Sequence, residues 1–128
     1  MSYLVDSDWL IDAAIGRLSA IQLLGRLRAH GVAVSAISVA ELAEGAFSDP
    51  DPPQALQPMQ ELLSTFAIVS VESSTAFQFA ELRAFLRRRG MLIPDMDLLI
   101  AATALEHDLT LVTRNHRHFA RVPGLRVA

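Results

Sequence analysis

Four oxygen-bearing side chains, Asp6, Glu41, Asp97 and Asn115, stand where the chain passes between apolar and helical patterning. Asp6 closes the short apolar run Tyr3-Leu4-Val5. Glu41 follows the apolar run Val32–Ile37, Asp97 heads the run that begins at Leu98, and Asn115 lies just after Leu109–Thr113. Carboxylate and amide oxygens of this kind suit a hard cation, Mg²⁺ or Mn²⁺ in its place. The substrate that such a cation usually brings is a phosphate ester. Acids gathered without a counter-charge repel and raise one another's pKa, a cost that a bound divalent cation removes.

Each acid also has a purely structural reading. Ser38-Val-Ala-Glu41 has the pattern of a capping box, serine on one backbone amide and glutamate on another. Asp8 reads as the N-cap of the first helix. Asp95 follows Pro94 and reads as an N-cap, with a secondary role at the rim of a site left open. Asp97 lies two residues further on, about 200° around a helix, so the two cannot face the same way. It shares the inward face of Ile100 and Ala101, where a carboxylate needs a partner. Asp6 is the hardest to give a structural task, having no basic neighbour in sequence.

The elements that must position these groups alternate. Apolar strands are predicted at 3–5, 32–37, 66–71 and 109–113, with a possible last one at 125–127. Helices are predicted from Ser7 or Asp8, over 19–30, from Ser38 to about Phe47, over 54–64, over 73–89 and over 95–107. Three prolines at positions 50, 52 and 53 mark a loop. Strand–helix alternation with continuous apolar strands predicts a mostly parallel α/β sheet of four to five strands, covered on both faces. In such a sheet the ligand site lies beyond the carboxyl ends of the strands. Oxygen ligands from four separate segments are therefore expected to converge on one end of the sheet.

The chain has 128 residues, 52 % hydrophobic and 20 % charged, which suits one domain over residues 1–128. It contains no cysteine, so neither disulfides nor thiolate metal sites arise. No apolar run reaches the roughly 18–20 residues of a membrane span, and no basic-then-apolar leader opens the sequence. A cytoplasmic location with no membrane partner is expected. The net charge of −3 does not advertise a nucleic-acid binder, but all 11 basic side chains are arginine. Arginine suits bidentate phosphate contacts, and Arg87, Arg88, Arg114 and Arg117 are candidates for such contacts. Arg87 and Arg88 equally suit a helix C-terminus before Gly90.

The stretches YLVDSDWLID, ISVAELAEG, DLLIAATALEHDLTLVTRNHRHF and VPGLRV, in this order and spacing, resemble the PIN-domain ribonucleases. Among those they resemble the VapC-type toxins of toxin–antitoxin pairs, over nearly the whole chain. The resemblance implies a three-layer α/β/α PIN-like domain whose acidic pocket holds one or two Mg²⁺ or Mn²⁺ ions and hydrolyses RNA, tRNA among the substrates. It makes Asp6, Glu41 and Asp97 catalytic and metal-holding, Asn115 a weaker ligand, and Ser7 and Thr113 supporting residues, to which Asp95 is added for its place at the rim. It also implies a homodimer and a hetero-oligomer with a VapB-type antitoxin. Apolar helices between Ile21 and Leu63 are expected to offer that antitoxin a groove, and one of its basic residues would enter the acidic pocket.

Two other readings remain at this level. Asp6 and Asp8 fit the Asp-x-Asp signature of haloacid-dehalogenase phosphatases, but that class needs a lysine and the chain has none. The second is a non-catalytic PIN-like binding module in which the acids only cap helices.

Overall fold

The apolar runs become four short strands, β1 (Tyr3–Val5), β2 (Val32–Ser35), β3 (Ala67–Val69) and β4 (Thr110–Val112). In this computed structural model, which describes residues 2–128, they form one parallel sheet in the order β3-β2-β1-β4. The helices are α1 (Ser7–Ala14), α2 (Leu18–Arg28), α3 (Ala36–Phe47), α4 (Pro52–Leu63), α5 (Ser73–Arg88), α6 (Asp95–Glu106) and α7 (His116–Phe119). The chain lays down β1, β2 and β3 toward one edge. Then α5 and α6 carry it back, and β4 pairs with the free side of β1. The reversal therefore falls between β1 and β4, where ligand sites of parallel sheets form.

Strand periodicity divides the core into two layers. Leu4, Ala33 and Leu111 face one way, into a cluster with Leu82 and Leu86 of α5, the inward side of α6 and Phe119. Val5, Val34 and Val112 face the other way, against Leu10, Leu24, Leu42 and Met59 of α1 to α4. This is the three-layer α/β/α arrangement. Its central helix α6 is buried on several sides at Leu98, Ile100, Ala101, Ala102, Thr103 and Ala104, and small side chains let it lie close to the sheet.

Several element starts differ from the sequence expectation, each for a local reason. Helix α3 opens at Ala36, two residues before Ser38, because Ser35 caps it by accepting from the Ile37 amide at 3.0 Å. Ser38 is thus inside the helix with its hydroxyl buried and unpartnered, and the expected Ser38–Glu41 capping box does not form. The proline-rich loop is shorter than predicted. Asp51 caps α4 and Pro52 and Pro53 occupy its first turn, where a missing N–H costs nothing. Pro94, not Asp95, is the N-cap of α6. The possible strand at 125–127 contributes one bridge, Leu111 with Val127. Helix α7 was not foreseen, since four residues are too few to show a period.

The return crossover is fastened by Glu106 at the end of α6, which accepts from the hydroxyls of Ser74 and Thr75 at the start of α5. Those two hydrogen bonds hold its carboxyl below the usual range, against a smaller opposing effect of burial. A depressed folded pKa stabilises above the unfolded value and is lost as pH falls through the folded one. Glu106→Gln is expected to lower the melting temperature at neutral pH by the equivalent of about 1 kcal/mol. Melting curves of the two proteins should converge below the ordinary carboxylate range.

Candidate functional site

The end of β1 and the end of β4 lie level, Val5 opposite Val112, and the Asp6 amide donates to the Val112 carbonyl at 2.9 Å. Asp6 is buried at this junction. Its Oδ1 accepts from the Ser7 amide at 2.8 Å, and its Oδ2 accepts from the Thr113 hydroxyl at 2.7 Å. Thr113 in turn accepts from the Asn115 amide at 3.0 Å. The carboxylate is thus fixed from both strands across the reversal.

Glu41 enters from the second turn of α3, and its Oε1 is buried without any hydrogen-bond partner. Such an orphaned acceptor costs about 1–3 kcal/mol unless something occupies it. Burial raises the Asp6 carboxyl above its usual range, opposed by the Thr113 and Ser7 hydrogen bonds and reinforced by Asp8 and Asp97. Burial raises Glu41 as well. The nearby Ser7 hydroxyl opposes this, while Asp6, Asp97 and Asp8 add to it. The charges of Asp8 and Asp97 thus reach both Asp6 and Glu41.

Asp97 lies in the first turn of α6, and its Oδ2 is 2.9 Å from His118 Nδ1 in α7. An ionised carboxylate only accepts, so Nδ1 carries the proton and donates to it. The Asn115 amide nitrogen lies 2.8 Å from the same ring nitrogen, and a half-turn of that amide replaces a competing donor with a second acceptor. Asn115, expected as a weak metal ligand, is thus engaged with His118. The histidine was missed in the sequence because the helix that presents it was missed.

The remaining candidates separate. Asp8 is not the N-cap of α1, a position that Asp6 holds. Its Oδ2 instead accepts from the Arg114 amide at 2.7 Å, tying α1 to the segment after β4. Asp95 turns to solvent and pairs with Arg83 at 2.9 Å. Arg114 pairs with Asp12 at 2.6 Å and lies over the Trp9 ring. Among the described residues Arg87, Arg88 and Arg117 form no ion pair, so their charges stay available.

The donor set fits a hard divalent cation: oxygen atoms only, one buried acceptor unpaired, and two carboxyls whose proton affinity is raised by burial and by neighbouring acids. Among the described residues no three Asp, Glu, His or Cys side chains are already gathered into a cage, and His118 holds Asp97. The site is a set of walls rather than a closed nest.

From the Glu41 wall a groove of about 280 Å³ runs between α1, α3 and α4, lined by Ile11, Ile15, Gly45, Ala46 and Met59 among others. It starts before the Ile21–Leu63 span expected from sequence, because α1 forms one bank and α2 none of it.

A family model for the PIN domain matches residues 3–125. The chain is 32 % identical over 128 residues to Ribonuclease VapC2 of Haemophilus influenzae, covering 98 % of this chain and 96 % of that protein. It is 26 % identical over 127 residues to the tRNA(fMet)-specific endonuclease VapC of Salmonella typhimurium, covering 99 % and 96 %. Among solved structures it matches the crystal structure of VapBC2 from Rickettsia felis bound to a DNA fragment from their promoter. That match has a TM-score of 0.93 at 30 % identity and covers 100 % of this chain and 98 % of the other.

Proposed function

This chain belongs to the PIN-domain family, among its VapC ribonucleases, and from that premise we propose that Asp6, Glu41 and Asp97 hold a Mg²⁺ or Mn²⁺ ion for RNA hydrolysis. The protein is the toxin endoribonuclease of a toxin–antitoxin pair. The observation that carries the metal assignment is Glu41 Oε1, an acceptor buried among like charges that makes no hydrogen bond although the Ser7 hydroxyl lies near the Glu41 carboxyl.

A divalent cation in such a site lowers the pKa of water and polarises the scissile phosphate. The protein's own groups supply placement. Ser7 and Thr113 fix both oxygens of Asp6, so its position is set before substrate arrives. His118 orients Asp97 through Nδ1. Arg87, Arg88 and Arg117, in no ion pair among the described residues, would meet RNA phosphates, a contact that weakens with salt. The substrate class is structured RNA with an exposed loop, tRNA among its members, which a single active site selects by shape. Sequencing RNA 5′ ends after controlled expression tests this. One recurrent cut site should appear with wild type and vanish with Asp97→Asn, and cuts that persist in the variant would refute the assignment.

A VapB-type antitoxin is the partner, and the groove beside Glu41 fits an apolar helix followed by a basic side chain that reaches the acids. Gly45 leaves part of that groove open, since a Cβ built there meets nothing within 4 Å. Gly45→Ala is expected to stabilise the free toxin by about 0.5–1 kcal/mol, as in any helix interior. Gly45→Leu is expected to weaken antitoxin binding by at least about tenfold, the scale of a few displaced apolar contacts. Calorimetric titration of the complex reads both the loss and its absence.

A further inference from the structure

Arg114 is tied to the acidic end of the sheet through its backbone amide, which donates to Asp8, yet its charge is already matched. Its Nη1 pairs with Asp12 Oδ2 at 2.6 Å, and Asp12 also meets Arg17 at 3.4 Å. Asp8 lies on its backbone amide and Asp6 one residue away through Thr113. A phosphate entering here would meet three carboxylates and a guanidinium edge already in use. The guanidinium plane is another matter. Its Cζ lies 3.7 Å from the centroid of Trp9, and 42 % of the side chain stays exposed although the indole covers one face and Asp12 one edge. The indole N–H is buried with no acceptor, so no hydrogen bond explains why tryptophan stands there.

We propose that Trp9 and Arg114 form a stacking platform for one nucleobase of the RNA, beside the scissile phosphate. The proposal rests on the ribonuclease reading and adds a subsite to it. Guanidinium planes and aromatic rings are the surfaces on which unstacked RNA bases settle, with little dependence on base identity. Asp12 holds the plane in place, and the Asp8 link fixes the platform relative to Asp6. The base would add to the stack on the open side of the guanidinium.

The test is the binding of a fluorescein-labelled single-stranded RNA in EDTA, followed by anisotropy. Arg114→Lys keeps the charge and loses the plane. It should bind as weakly as Arg114→Ala, about tenfold below wild type, the order of one lost base stack. An abasic nucleotide at one position of the RNA should cost wild type the same factor and cost Arg114→Lys nothing more. The emission of Trp9, the sole tryptophan, should change as wild type binds intact RNA. Wild-type binding by Arg114→Lys would overturn the platform, and so would equal wild-type affinity for intact RNA and for every abasic RNA. The abasic comparison uses the unaltered protein, so it holds even if a variant folds poorly. Adding Mg²⁺ afterwards tests the ribonuclease reading separately: failure to cut bound RNA counts against that reading, whatever the binding data show.

Discussion

Purified free of antitoxin, Asp97→Asn protein is expected to cut RNA more than about a hundredfold more slowly than wild type. Losing a residue that merely supports a metal ligand typically costs 10–100-fold, and Asp97 is assigned as a ligand itself. The substitution preserves shape, so α6 should remain seated. The penalty to the fold is the lost favourable charge in the first turn of that helix, about 0.3–1 kcal/mol, and the weakened hydrogen bond from His118. A melting curve beside the rate measurement separates a dead site from an unfolded protein. Retained cleavage would mean that the cation, if any, sits elsewhere.

Glu41→Gln should abolish cleavage to the same degree while moving stability the opposite way. Burial and the neighbouring acids raise the folded pKa of Glu41. As pH rises out of the ordinary carboxylate range, the unfolded chain releases its proton first, so the metal-free fold loses stability. Above the folded pKa that deficit is complete. At neutral pH the metal-free variant, freed of one buried charge, is expected to melt higher than wild type. Added Mn²⁺ should raise the wild-type melting temperature by linkage and leave the variant nearly unmoved. A wild type unmoved by Mn²⁺, or a variant that melts lower, would make Glu41 a structural residue. This trade of stability for function is what crowded active-site acids usually show.

Much of this was visible in the sequence, and the exceptions have physical causes. The strands, six of the helices and the layering follow from apolar periodicity, which is strong wherever a face is buried on a regular element. Asp6 and Asp97 stood out because a carboxylate beside wholly apolar neighbours needs a reason. Glu41 was ambiguous, since Ser38-Val-Ala-Glu41 is a plausible cap, and only the Ser35 cap three residues earlier removes that alternative. Asp8 and Asp95 were read locally as caps, but one bonds across 106 residues and the other pairs with Arg83 twelve residues before it. Local pattern cannot report such partners. Helix α7, with the His118 contact to Asp97, and the Trp9–Arg114 stack were invisible for the same reason: one is too short to carry a period, the other joins distant segments.

The most direct measurement is the rate of RNA cleavage by antitoxin-free wild-type protein as Mg²⁺ is titrated in after treatment with EDTA. Asp6, Glu41 and Asp97 acting together on one cation predict no cleavage in EDTA, a rate that saturates as Mg²⁺ is restored, and no recovery in Asp97→Asn at any concentration tested. Cleavage that proceeds undiminished in EDTA, or a folded protein that cuts no RNA with either Mg²⁺ or Mn²⁺, would contradict it.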